Sequence, residues 1–287
     1  MIKSVGIDLA GSGEHKVRCL DEAARLCDGF GFETTPAGLA KLEERIFVDG
    51  AKPIVVFEPT GLAWVAVAVY LRARHPDCRV VRTQSRNVAA LRKYLRRSSK
   101  SDKIDAITLA KMPFVDAERL NEIFLPPAKI YVIQRLARQR KRLESDMAAR
   151  KTRIISTLDG FLPGVHLAFP NLWTRQAKAF LNSRLNPLAV VRDGEESLHQ
   201  FLSQLKPRRK EDAIDSHWVY VACERVATIY EQSSSAGMIN DDFFDGLQEE
   251  MSRELRLMEA EEAESQAISQ QLTDMYRELH PSDNLCT

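Results

Sequence analysis

Ile54-Val55-Val56-Phe57-Glu58 is an apolar, mostly β-branched run that ends at an acid. Such a run is typical of a buried strand near the centre of a sheet. Ser4-Val5-Gly6-Ile7-Asp8 is a second short apolar run, and it also ends at an acid. Functional sites in open α/β sheets lie at the carboxyl ends of the strands. We therefore expect Asp8 and Glu58 to lie at a functional edge of one sheet.

The pattern around these two runs alternates between strands and helices. Thr35 can cap a helix whose first residue is Pro36, since proline suits a first helical turn. Further short strands are predicted at residues 17–19, 29–34 and 79–82, and further helices at 64–71, 84–97 and 102–112. This alternation predicts an α/β domain with a mixed sheet and flanking helices.

Lys100-Ser101-Asp102-Lys103-Ile104-Asp105-Ala106 adds two more acids, three residues apart, so that both carboxylates can share one face of a helix. Hard divalent cations take oxygen ligands, and a pair of them stabilises the attacking and leaving oxygens of phosphoryl transfer. A strand-end acid alone could equally cap a turn. Together, four acids predict a nuclease-like catalytic and metal site: Asp8, Glu58, Asp102 and Asp105.

The net charge of +1 hides a strongly basic segment. Residues 72–103 contain eleven basic and two acidic residues, for a net charge of about +9. Basic segments of this density attract phosphate backbones, although a solvated helix face has the same composition. The candidate nucleic-acid contacts are Arg86, Arg92, Lys93, Arg96, Arg97, Lys100 and Lys103.

Pro126-Pro127 marks a break, which predicts domains at residues 1–125 and 126–287. The second domain is expected to be mainly helical, with a basic helix at 129–158 and an acidic helix at 243–279 that pair as a hairpin or coiled coil. Ser233-Ser234-Ser235-Ala236-Gly237 is predicted to be a linker or turn.

Other classes of protein are not favoured. The sequence has no apolar run of membrane-spanning length and no secretion signal, so we expect a cytoplasmic protein that does not enter a membrane. The five cysteines are scattered without metal-ligand spacing, so we expect free thiols and no zinc site.

Gly6-Ile7-Asp8, Glu58-Pro59-Thr60-Gly61 and the segment at 100–106 match the IS110-family transposases in type, order and approximate spacing, and the chain resembles that family. The resemblance implies an RNase H/RuvC-like domain whose Asp-Glu-Asp-Asp tetrad binds Mg²⁺ or Mn²⁺. It implies DNA cleavage and strand transfer at the ends of a mobile element and its target. Some members use an element-encoded guide RNA. A homo-oligomer, a dimer or tetramer, in a bacterial or archaeal nucleoid is also implied.

The resemblance also predicts a fragment. Full-length relatives continue after the acidic helix into a second catalytic domain with a nucleophilic serine, and this sequence ends at Thr287. Alternative functions are a stand-alone Holliday-junction nuclease and an inactive nucleic-acid-binding or dimerisation module. A sugar kinase or ATPase of related fold is a further alternative. Against it, the region around Gly11 and Gly13 lacks further glycines for a phosphate loop.

Overall fold

The chain forms two compact units, Met1–Pro127 and Ala128–Thr287. The structure is a computed structural model that describes residues 1–58, 61–95, 102–118, 120–207 and 209–280, except for the side chains of Asp102 and Ser234. Within these residues, no helix is both long enough and apolar enough to cross a membrane.

The first unit is built on a mixed six-stranded sheet with the order β3-β2-β1-β4-β5-β6. Strands β1, β2 and β3 pair antiparallel, β4 and β5 continue parallel to β1, and β6 pairs antiparallel with β5. The strands are β1 (Ile2–Asp8), β2 (His15–Asp21), β3 (Leu26–Phe32), β4 (Ile54–Phe57), β5 (Val80–Arg82) and β6 (Asn121–Glu122). The predicted α/β class, with a RuvC-like mixed sheet and flanking helices, is confirmed.

Among the described residues, four helices flank the sheet: α1 (Pro36–Ile46), α2 (Ala63–Arg74), α3 (Ser85–Tyr94) and α4 (Asp102–Val115). The Thr35 hydroxyl caps α1 by accepting a hydrogen bond of 3.0 Å from the Gly38 amide, as its position before Pro36 predicts. A 3₁₀ turn, Val48–Gly50, leads from α1 toward β4.

The alternation of side chains along the central strands separates two cores. Ile7 and Phe57 belong to a buried cluster with residues of α1 and α2, such as Leu42 and Leu71. Val56 points to the opposite face, where it belongs to the cluster formed with α3 and α4. Helices α3 and α4 therefore cover the face of the sheet that β4 presents through Val56.

Helix α4 lies directly against β1 because β1 carries small residues on that face. The buried Ser4 hydroxyl donates a hydrogen bond of 2.7 Å to the Ala110 carbonyl oxygen. A Cβ atom on Gly6 would lie 2.0 Å from the Ala106 carbonyl oxygen and 2.3 Å from the Ala110 nitrogen. Only glycine permits so close an approach of helix and strand.

The second unit is helical, with α5 (Ala128–Phe161), α6 (Arg175–Ser183), α7 (Pro187–Asp193), α8 (Glu195–Ser203), α9 (Ser216–Ser235) and α10 (Asp241–Leu279). Lys129 pairs with Glu278 near one end of α5, and Arg150 pairs with Glu254 farther along, so α5 and α10 run antiparallel. These two helices extend by at most three residues beyond the ends predicted from the sequence.

The turn predicted at Ser233-Ser234-Ser235-Ala236-Gly237 is confirmed at Ala236-Gly237, but the first three of these residues belong to a helix. Helix α9 continues through Ser235, whose hydroxyl donates to the Glu231 carbonyl oxygen at 3.1 Å and so finds a partner inside the helix. The chain turns at Gly237, where φ is +70°, and the Met238 amide donates back to the Ser233 carbonyl oxygen at 2.9 Å. Glycine, and not the serine run, ends the helix.

Candidate active site

Asp8 and Glu58 lie side by side at the carboxyl ends of two parallel central strands. Asp8 is the last residue of β1, and Glu58 directly follows β4. Gly6 pairs with Val56 and Ile7 with Phe57, so Asp8 and Glu58 are the next two positions of the same register. Residues two apart in a strand share a face, so both acids follow Gly6 and Val56 onto the face covered by α3 and α4.

Helix α4 brings its first turn to the same edge. Because Ser4 contacts Ala110 and Gly6 contacts Ala106, moving forward along β1 means moving backward along α4. Asp8 is therefore level with the first turn of α4, which contains Asp105 and begins at Asp102. The side chain of Asp102 lies outside the described part of the chain.

Glu58 is held from α3. The hydroxyl of Ser85, the first residue of α3, donates a hydrogen bond to the Glu58 carboxylate. Because Ser85 begins the helix that follows β5, this contact fixes Glu58 on the α3 side of the sheet. The sequence carries no signal for this role of Ser85, since a serine at a helix start is ordinarily a cap.

Asp105 is held by Arg92, a residue that the sequence analysis placed among the nucleic-acid contacts. The Arg92 guanidinium donates through Nη1 to the Asp105 carboxylate. Only 21% of the Arg92 side chain and 13% of the Asp105 side chain are exposed. Arg92 thus neutralises one of the site acids in this structure.

Three other predicted nucleic-acid contacts, Arg86, Lys93 and Lys103, are exposed side chains. Arg86 and Lys93 lie on the outer side of α3, two helical turns apart, so they share one face. The remaining predicted contacts, Arg96, Arg97 and Lys100, lie outside the described residues.

The loop after Asp8 is fixed by His15. The Ala10 amide donates to Nδ1 of His15 at 3.1 Å, so the other ring nitrogen, Nε2, carries the proton and donates to the Thr34 hydroxyl at 2.6 Å. Burial lowers the pKa of His15, which keeps the ring neutral and Nδ1 able to accept at neutral pH. A neutral histidine therefore anchors the backbone beside the first catalytic candidate.

Thr83 is a further polar residue at this edge. It directly follows β5, two residues after Val81, which packs in the α3 and α4 core. Its hydroxyl is buried and has no hydrogen-bond partner in the described part of the chain. A lone buried hydroxyl at a strand end has no sequence signature, and the sequence analysis missed it.

The acids at this edge offer only oxygen atoms, the type of donor that hard divalent cations take. The carboxylates of Asp8, Glu58 and Asp105 supply oxygen atoms only, the donor that Mg²⁺ prefers. Among the described side chains, no group of three or more His, Cys, Asp or Glu is close enough to hold a metal ion. Two of the acids face other partners in this structure. Glu58 accepts from Ser85, and Asp105 accepts from Arg92.

A mixed sheet with flanking helices, and with acids at the ends of its central parallel strands, is the arrangement expected of a RuvC-like protein. The family model of the IS110 DEDD transposases matches residues 5–163, which is more than half of the chain. The chain therefore belongs to the IS110 transposase family, as its motifs predict. A comparison with curated proteins gave no match.

Proposed function

We propose that this chain catalyses divalent-metal-dependent cleavage and transfer of DNA strands during transposition. The observation that carries the proposal is the shared register of β1 and β4, which sets Asp8 and Glu58 next to each other opposite the first turn of α4. Three separate segments of sequence supply acids to one edge of the sheet. A purely structural role for each acid gives no reason for that convergence.

The proposed ligands of Mg²⁺ or Mn²⁺ are Asp8, Glu58, Asp102 and Asp105. Asp8 is proposed as the central ligand, since it ends β1, the strand that pairs with β4 and packs against α4. The ion supplies charge stabilisation to the oxygens that attack and leave the phosphorus. The protein's own work is to hold the four carboxylates on rigid elements, two on strand ends and two on one helix turn.

The proposed substrate is DNA at the ends of the element and at its target. Arg86, Lys93 and Lys103, together with Arg96, Arg97 and Lys100, are proposed to bind phosphates and to hold the strand beside the carboxylates. Assembly into a dimer or tetramer is part of the same proposal, because strand exchange needs paired active sites. Guide-RNA pairing is also part of it. Both come from the family and not from contacts within this chain.

The test is cleavage of labelled DNA by the full 287-residue chain with Mg²⁺ or Mn²⁺. Asp8→Asn keeps the size of the side chain but removes its charge, and we expect cleavage to fall by at least about a hundredfold. Asp77→Asn is the matched control, since Asp77 is 84% exposed and precedes β5 at the other end of that strand.

Element-end duplexes and four-way junctions are used side by side. Cleavage of the element ends that is lost in Asp8→Asn supports the transposase function. Cleavage of junctions alone would favour the stand-alone nuclease, and equal cleavage by Asp8→Asn and the wild type would remove the carboxylates from the mechanism.

A further inference from the structure

Helix α3 contacts two of the proposed metal ligands from one face. Ser85 in its first turn donates to Glu58, and Arg92 in its last turn donates to Asp105. The two residues are seven positions apart, which is about two helical turns, so their side chains lie on the same side of the helix. Helix α3 thereby links the acid at the end of β4 to the acid on α4.

The position of Arg92 is fixed by the packing of α3 against α4. Val88 and Leu91 on α3 are buried in the same cluster as Leu109 and Met112 on α4. These contacts hold the stem of Arg92 next to the first turn of α4, where Asp105 lies. Arginine does not lose its proton in proteins, so this cation is permanent.

The Arg92–Asp105 pair answers an electrostatic problem of the site. Asp8, Glu58 and the first turn of α4 bring carboxylates to one edge of the sheet, and a cation at that edge offsets part of their like charge. Both partners are mostly shielded from water, which strengthens their attraction relative to a surface pair. The Arg92 guanidinium thus pairs with Asp105, a carboxylate that the proposed function assigns to a metal ion.

We propose that Arg92 is a positioning residue that holds Asp105 while no metal is bound and competes with the divalent cation for this carboxylate. The proposal rests on the proposed function, because it requires a metal site that includes Asp105. Metal binding then has to displace the guanidinium. The cost of that displacement lowers the apparent metal affinity, as in any equilibrium between two exclusive partners.

A purely structural tie between α3 and α4 predicts the opposite result. If Arg92 only fastened the two helices, its loss would loosen the site and weaken metal binding. If Arg92 competes with the metal, its loss tightens metal binding. The sign of the change in affinity therefore separates the two roles.

The experiment is titration of the 287-residue chain with Mn²⁺ alone, measured by calorimetry, for Arg92→Gln and Arg92→Lys. We expect Arg92→Gln to lower the Kd for Mn²⁺ by about threefold to tenfold, the effect of losing one partly shielded ion pair. Arg92→Lys keeps the competing charge, and its Kd should stay within about twofold of the wild type. Unchanged or weaker binding by Arg92→Gln would overturn the proposal.

Arg25→Gln is the matched control. Arg25 carries the same charge but is exposed in the turn between β2 and β3, beyond the end of β2 that pairs with the start of β1. Its loss should leave the Kd for Mn²⁺ unchanged within about twofold, because water screens the distant charge. If Arg25→Gln changed the Kd as much as Arg92→Gln does, the change would come from net charge alone. That result would reject local competition between Arg92 and the metal ion.

Thermal unfolding without DNA gives an independent readout. Without metal, Arg92→Gln should melt below the wild type because Asp105 lacks the guanidinium that pairs with it. Saturating Mn²⁺ should close that gap, since the ion takes over the same role. A gap that persists at saturation would identify Arg92 as a structural tie.

Two further measurements keep the outcomes distinct. Asp105→Asn reports on the ligand role of Asp105: if its Kd for Mn²⁺ equals that of the wild type, Asp105 does not bind the ion, and competition for Asp105 is rejected whatever Arg92 does. If Arg92→Gln fails to fold, the guanidinium signal of Arg92 in the wild-type chain is followed by nuclear magnetic resonance during a Mg²⁺ titration. A signal that shifts as the site fills supports release, and an unchanged signal at saturation rejects it.

Discussion

Each unit has a partly buried arginine that pairs with carboxylates, Arg92 in the sheet unit and Arg150 in the helical unit, and the two have different roles. Arg150 on α5 donates to Glu254 at 2.8 Å and to both carboxylate oxygens of Glu261 on α10, and these two acids raise the pKa of the guanidinium. Arg92 on α3 donates to Asp105 at the edge where other carboxylates gather. Both arginines are mostly shielded from water, with 14% and 21% of their side chains exposed.

The difference lies in what surrounds each pair. Arg150 bridges two acids about two turns apart on a single helix, so its contacts fasten α5 to α10. Arg92 donates to Asp105 on α4, the helix that packs closely against β1 at Gly6. Asp8 and Glu58 lie at the same edge of the sheet. The arginine–carboxylate pair thus fastens two helices in the helical unit. In the sheet unit, by our proposal, it is an ion pair that a metal ion displaces.

The largest effect is expected from Gly6→Ala, which attacks the sheet unit alone. The added methyl group meets the Ala106 carbonyl oxygen and the Ala110 nitrogen, backbone atoms that cannot move aside without shifting α4. We expect the free energy of unfolding of this unit to fall by about 3 kcal/mol, with loss of cleavage as α4 moves away from Asp8.

Hydrogen exchange of the β1 and α4 amides, read by mass spectrometry, measures this locally while α5 and α10 serve as the internal reference. Gly11→Ala is the matched control, since a Cβ atom there meets nothing within 4 Å. Faster exchange spread evenly over both units would contradict a local effect on the contact between β1 and α4.

A smaller effect is expected from Arg150→Gln, which attacks the helical unit. It leaves Glu254 and Glu261 without the guanidinium that joins them, and we expect a loss of about 1–2 kcal/mol in the free energy of unfolding, with metal affinity unchanged. Chemical denaturation monitored by circular dichroism is the measurement.

Arg140→Gln provides the comparison for Arg150→Gln. Arg140 forms an exposed pair with Glu144 one turn along α5, and such pairs contribute less than about 0.5 kcal/mol. Its one polar contact with α10 that the described part of the chain shows is a hydrogen bond of 3.3 Å to the Ser269 hydroxyl, which involves no carboxylate. If Arg150→Gln lowered the free energy of unfolding no more than Arg140→Gln does, the contacts of Arg150 would stabilise the helical unit no more than an ordinary surface pair.

The sequence predicted those features that depend on local pattern. The apolar runs before Asp8 and Glu58 identified two central strands, because such runs are buried whatever their neighbours are. The cap at Thr35 followed from its position before Pro36. The long helices followed from apolar residues at helical spacing along α5 and α10.

Features that depend on contacts between distant segments could not be predicted in this way. The partner of Arg92 is set by how α3 packs on α4, and the basic composition around it pointed to phosphates instead. Gly6 in the interior of a strand did carry a signal, since glycine there often marks a close backbone approach. Which element approaches it is known only from the fold.

The location of the metal ion tests the account most directly. A crystal of the full chain soaked in Mn²⁺ is measured at a wavelength where manganese scatters anomalously. We predict a peak within about 2.5 Å of carboxylate oxygens of Asp8 and of Asp102 or Asp105, with the Arg92 guanidinium withdrawn from Asp105. A peak elsewhere, or these side chains facing different surfaces at saturating Mn²⁺, would contradict the account.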